Sequence, residues 1–284
     1  MNRPEYTTGS LESADGTRVG YRRLGAGPGL ILLHGGMMAA QGFTKLGALL
    51  ADSFTVYLPD RRGRGSSGPY GDRYGIARDC EDVQALARAT GAARVFGLSS
   101  GAIIALETAR VAPELESVAA YEPPYSIAGH DNSAWLTRFD TEVARGDLAA
   151  AMVTVIKGTG DSRWLQILPH WLVAKMMARG IKADAARLKP GDVPIRELIP
   201  TMHYDALLVN ETTPNVERLR SLQARVLLLG GSQSAAFLRG ALDLLQPMLR
   251  NATRVTFQGV GHLAAANRGK PELVAEALRS FFAE

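Results

Sequence analysis

Apolar and polar positions change places in short blocks through the first third of the chain. Ser10 to Ser13 and Thr17 to Leu24 alternate like strands on either side of Asp15-Gly16, a pair that supplies the positive φ angles of a tight turn and so predicts a hairpin. Gly25 to Gly29 interrupts the pattern. Leu30 to Leu33 and Phe54 to Leu58 are continuously apolar, as expected of strands covered on both faces, and Arg94 to Leu98 and Ser117 to Tyr121 continue the series. Asp79 to Thr90 has apolar residues at helical spacing, and Ala102 to Val111 reads the same way. Strand, helix, strand in this rhythm predicts an α/β chain with a mostly parallel sheet and right-handed crossovers.

After Tyr121 the period changes. Trp135 to Arg145, Asp147 to Lys157, Trp164 to Arg179 and Val193 to Asn210 read as helices, punctuated by Gly158, Gly160, Gly180 and Pro190-Gly191. Strand patterns resume at Arg225 to Leu229 and Thr253 to Phe257, and Pro271 to Phe282 predicts a closing helix. The organisation expected is therefore one core, residues 1–124 and 225–284, with a helical insertion over 125–224. Trp135, Trp164, Leu168, Trp171, Met176 and Met177 make that insertion apolar.

The chain has 284 residues, 46% hydrophobic and 21% charged, which is ordinary for a globular protein. A net charge of +4 is spread along the chain without a basic arm, so no nucleic-acid partner is implied. Cys80 is the only cysteine, which excludes an internal disulfide and a cysteine-based zinc site and fits a cytoplasmic setting; it is given no catalytic role. Met1 to Ser10 lacks the apolar stretch of a signal peptide, and no run approaches the roughly 20 apolar residues of a membrane span. No clustered metal ligands and no correctly spaced nucleotide loop occur, so no metal or cofactor is expected.

Chemistry concentrates at Gly97-Leu98-Ser99-Ser100-Gly101, between an apolar strand and a helix. G-x-S-x-G needs that setting, because a sharp strand-to-helix turn exposes the serine and only glycine tolerates the close flanking packing. Ser99 holds the nucleophile position. A serine hydroxyl needs a base, and His262, in Gly259-Val260-Gly261-His262 after the last strand, is the favoured one; His130, His170 and His203 fall in the insertion.

These residues resemble the α/β-hydrolase superfamily over nearly the whole chain. His34-Gly35-Gly36 resembles its oxyanion loop, Asp60-Arg61-Arg62-Gly63-Arg64-Gly65 its D-x-R-G-x-G segment, and Gly259 to His262 its histidine loop. The resemblance implies the α/β-hydrolase fold with an inserted helical cap, a serine hydrolase acting on a small-molecule substrate, and oxyanion donors from the backbone of Ser100 and of Gly36 or Met37. Asp60 and the arginines after it are implied to organise their loop, and His34 to be structural. Met38, Trp135, Trp164 and Trp171 are candidate pocket residues.

The acid departs from the commonest family pattern. Where most relatives have an aspartate after the strand Arg225 to Leu229, this chain has Gly230-Gly231-Ser232-Gln233-Ser234-Ala235. Some relatives carry the acid at the end of the preceding strand, and there stands Glu122. Its carboxylate either meets His262 or merely ends the strand, and geometry decides between them. A serine at the elbow disfavours dehalogenase and epoxide hydrolase chemistry, which need a carboxylate nucleophile. Hydrolysis of a largely apolar carboxylic ester is the main expectation; carbon–carbon bond chemistry on the same residues and a non-hydrolytic ligand-binding or cyclase role are the alternatives. A monomer and a homodimer are both admissible.

Overall fold

The computed structural model describes residues 6–126, 134–160 and 163–283, the side chains at 163 and 164 excepted. Eight strands form one sheet in the order β1-β2-β4-β3-β5-β6-β7-β8. They are β1 (Thr7–Glu12), β2 (Arg18–Leu24), β3 (Gly29–Leu33), β4 (Thr55–Pro59), β5 (Arg94–Leu98), β6 (Ser117–Tyr121), β7 (Arg225–Gly231) and β8 (Ala252–Phe257). β1 pairs antiparallel with β2, and β2 with β4; every later pairing is parallel. The hairpin closes through Ser13 to Thr17, where Gly16 alone takes a positive φ, of 80°.

The apolar blocks are the buried strands. β4 and β6 are buried at every position, as parallel strands between helical layers must be. Helices α1 (Thr44–Leu50), α2 (Ile76–Thr90) and α3 (Ser100–Val111) follow β3, β4 and β5. In α3 the positions from Ser100 to Ala109 are all buried, so Ile103, Ile104 and Leu106 each contribute about 1.5–3 kcal/mol by leaving water. That packing anchors the turn at its N-terminus, where Ser99 sits.

Between β6 and β7 lie α4 (Leu136–Ala144), α5 (Leu148–Thr159), α6 (Arg163–Ile167), α7 (His170–Ala185), α8 (Ile195–Leu198) and α9 (Met202–Thr212). The single helix expected over Trp164 to Arg179 is two, because Pro169 has no N–H to donate and disfavours helical geometry in the residue before it. The helix expected over Val193 to Asn210 is likewise broken: Pro194 precedes α8, and Ile199–Thr201, containing Pro200, tightens into a 3-10 turn before α9. Helices α10 (Ala236–Met248) and α11 (Pro271–Ala283) complete the core. Among the described residues no helix is long and apolar enough to cross a membrane.

Candidate active site

The turn from β5 to α3 can form only because two glycines let backbones touch. A Cβ at Gly97 would stand 2.1 Å from the Gly101 carbonyl oxygen, and one at Gly101 would stand 2.4 Å from that of Leu33. Ser99 is thereby held at φ 57°, ψ −126°, and its amide donates to the Tyr121 carbonyl at 2.9 Å. Three non-glycine residues take positive φ among the described residues: Met37 at 51°, Ser99 at 57° and Glu122 at 46°. Such strain costs of order 1–3 kcal/mol per residue and persists where surrounding structure imposes it. Here all three belong to the predicted site.

Glu122 is fully buried at the end of β6. One carboxylate oxygen accepts the Gly231 amide at 2.6 Å, and the other lies 2.7 Å from His262 Nδ1. Gly230 makes the room, since a Cβ there would come within 3.2 Å of that first oxygen. The histidine loop is tied to its surroundings by the Tyr121 hydroxyl, which donates to the Gly261 carbonyl at 2.9 Å, and by the Gln233 amide donating to Val260 at 2.9 Å. The loop after β7 therefore braces the histidine through its backbone, while the carboxylate comes from β6.

Ser99, Ser100, Gly36, Met37, Met38 and His262 all line one cavity of about 1190 Å³. A Cβ on Gly35 would touch the Ser99 Cβ at 3.0 Å, which places the loop after β3 directly against the turn that holds Ser99. The amides of Gly36, Met37 and Ser100 donate to no other loop carbonyl among the described residues. Trp135 lines the cavity with its Nε1 lacking an acceptor among the described residues. Trp171 does not line it: the residue is 61% exposed on α7, with Lys175 Nζ 5.1 Å from the ring centroid. A solvated first turn of α7 explains the departure from expectation. The side chain of Trp164 and all of His130 lie outside the described residues. Leu165 and Met177 line the cavity, whereas Met176 is exposed.

Asp205 on α9 was not foreseen. Its carboxylate accepts the Ser100 hydroxyl at 2.7 Å and pairs with Arg61 at 2.7 Å and Arg64 at 2.5 Å, all four residues being buried. Burial works to raise its pKa, but Arg64 and Arg61 overcome that and hold it at about 2. Arg64 also donates to the Gly35 and Met38 carbonyls at 2.9 and 3.1 Å, so α9 is connected to the loop after β3 through one guanidinium. The available signal was an acid amid the apolar run Met202 to Val209. Burial, with Arg64 and Arg61 nearby, pushes the His34 pKa well below the usual histidine value, and its Nε2 accepts the Arg61 amide at 3.2 Å. Asp60 holds its loop by accepting from Ala40 and Ser66. Burial pushes the Cys80 thiol up to about 12, leaving it a poor nucleophile. Among the described residues no group of three or more histidine, cysteine, aspartate or glutamate side chains is arranged to hold a metal.

A family model described as the alpha/beta hydrolase family matches residues 30–277. The chain belongs to that family. The fold of this hydrolase is shared with an alpha/beta hydrolase from Sphaerobacter thermophilus at 30% identity, covering 96% of this chain and all of that one with a TM-score of 0.78. It is 28% identical over 230 residues to a pimeloyl-[acyl-carrier protein] methyl ester esterase of Stenotrophomonas maltophilia, across 76% of this chain and 86% of that protein. A thermophilic esterase from Thermogutta terrifontis shares the fold, with a TM-score of 0.72 at 17% identity over 98% of each chain.

Proposed function

We propose that this hydrolase cleaves a small, largely apolar carboxylic ester through an acyl-enzyme at Ser99. The observation that carries the reading is the 2.7 Å contact of buried Glu122 with His262 Nδ1, made on the wall of the cavity into which the strained Ser99 opens. A carboxylate at Nδ1 holds the proton there and leaves Nε2 unprotonated, able to act as the base. Ser99 Oγ attacks the ester carbonyl carbon as Nε2 takes its proton. The oxyanion is held by the amides of Ser100 and of Gly36 or Met37, where loss of one donor typically costs about 10²–10³ in turnover. Nε2 returns the proton to the departing alcohol. Water, activated by the same nitrogen, then releases the acid and restores Ser99.

The inserted helices act in this scheme as a cap that supplies the apolar wall of the pocket. The ester-cleaving relatives from Stenotrophomonas support ester chemistry. Beside Ser100 the carboxylate and the guanidiniums are paired with one another, which leaves ester hydrolysis a simpler reading than carbon–carbon bond chemistry requiring a free proton relay. A lone buried cysteine suits a reducing compartment such as the cytoplasm.

The test is labelling by a fluorophosphonate, read by intact mass, of the wild type and Ser99→Ala. A single adduct on the wild type and none on the variant is expected. A folded wild type that takes up no probe overturns the reading.

A further inference from the structure

The mouth of the cavity carries a charge distribution that ester cleavage does not itself require. Arg179, Arg187, Arg268 and Lys270 line it and are all exposed. None of the four forms an ion pair among the described residues. The acid that lines the same mouth, Asp184, already accepts the Ile195 amide at 2.9 Å, and Asp205, beside Ser100, is held by Arg61 and Arg64. Over the whole chain basic and acidic residues are close to parity, 32 against 28, so four unpaired cations around one opening do not follow from composition.

These cations come from two separate segments. Arg179 lies on α7 and Arg187 just beyond it, while Arg268 and Lys270 lie between His262 and α11. The remainder of the wall is mostly apolar, with Met152, Val155, Ile181, Val209 and Phe237. Like charges gathered at an opening repel one another and raise the local concentration of anions, most effectively where low-dielectric walls stand behind them. The cavity, at about 1190 Å³, exceeds the roughly 300–1,000 Å³ of ordinary small-molecule sites, so it has room for a chain between Ser99 and the rim.

We propose that this rim is a subsite for an anionic group at the end of the substrate remote from the scissile ester. The substrate class is then an amphiphile: an ester carbonyl at Ser99, an apolar chain along the cavity wall, and a carboxylate or phosphate among Arg179, Arg187, Arg268 and Lys270. The inference rests on the reading of Ser99 as nucleophile, and binding measurements keep the two separable.

Methyl esters of one chain length are compared: neutral methyl octanoate, monomethyl suberate with its free carboxylate, and the corresponding ω-phosphonate. The anionic esters are expected to exceed the neutral one in kcat/KM by about tenfold at low salt, through KM, as a few exposed charge contacts provide. The advantage should shrink as ionic strength rises. A carboxylate advantage without a phosphonate advantage identifies a carboxylate subsite, and the reverse a phosphate subsite. In the combined variant Arg179→Gln, Arg187→Gln, Arg268→Gln and Lys270→Gln the anionic-to-neutral ratio should fall towards one. A wild-type ratio of one, or a ratio the variant leaves intact, overturns the subsite. Calorimetric titration of Ser99→Ala with monomethyl suberate and methyl octanoate reads the same preference without turnover. If no ester is cleaved and no fluorophosphonate adduct forms, the nucleophile reading fails, and the titration still decides the subsite.

Discussion

Glu122 and Asp205 are two fully enclosed carboxylates whose neighbours assign them different work. Glu122→Gln keeps the shape and retains an acceptor for the Gly231 amide, but its NH₂ would face His262 Nδ1 and hold the imidazole in the tautomer whose Nε2 is protonated. Turnover should fall by about 10³–10⁴-fold with Tm nearly unchanged, measured by ester hydrolysis and thermal melting; an unaltered rate removes Glu122 from the mechanism. Asp205→Asn instead leaves Arg64 buried without its counter-charge and Arg61 with Asp79 alone, and should cost about 3–5 kcal/mol in denaturant titration. Ser100→Ala removes a hydroxyl that donates to Asp205 and accepts from Arg61, two groups that still hold each other, so about 1 kcal/mol is expected there. Ser99 and His262 were legible because their chemistry fits a local pattern, and Glu122 because the usual acid was missing and a strand ended on another. Asp205 was illegible because its meaning comes from Ser100 and the two arginines, each more than a hundred residues away.

The sheet strands were readable because burial on two faces writes itself as an unbroken apolar block, and the elbow because glycine is compulsory where backbones touch. Gly101→Ala would drive a Cβ against the carbonyls of Leu33 and His34, 2.4 and 2.6 Å away, at the root of the loop after β3. A loss of about 1–3 kcal/mol is expected, with a fall in kcat, by thermal melting and steady-state kinetics. Gly180→Ala is the opposite case: it lies inside α7 with nothing within 4 Å of the new Cβ, so stability should rise by up to about 1 kcal/mol. A destabilised Gly180 variant would show that α7 is held by something other than helix propensity. Helix ends in the insertion were less legible, because Pro169, Pro194 and Pro200 subdivide segments whose apolar spacing runs on past them.

Across the molecule, Asp205 makes the attachment of the insertion to the core depend on acidity. Its folded pKa of about 2 lies below the ordinary 3.8, so its contribution is fully present above about pH 4 and is lost as pH falls towards 2. The amount at stake is on the order of 2 kcal/mol. An acid titration should therefore loosen contacts of the insertion in that window, and Asp205→Asn should abolish this part of the pH dependence; a variant with the same acid profile as the wild type assigns the loss elsewhere. The means of watching it is built in. All three tryptophans, Trp135, Trp164 and Trp171, fall within the insertion, while six of the eight tyrosines lie outside it. Indole emission is thus a private channel from the insertion: a solvent change that unseats it from the core can be followed optically in the unlabelled enzyme while the sheet stays silent.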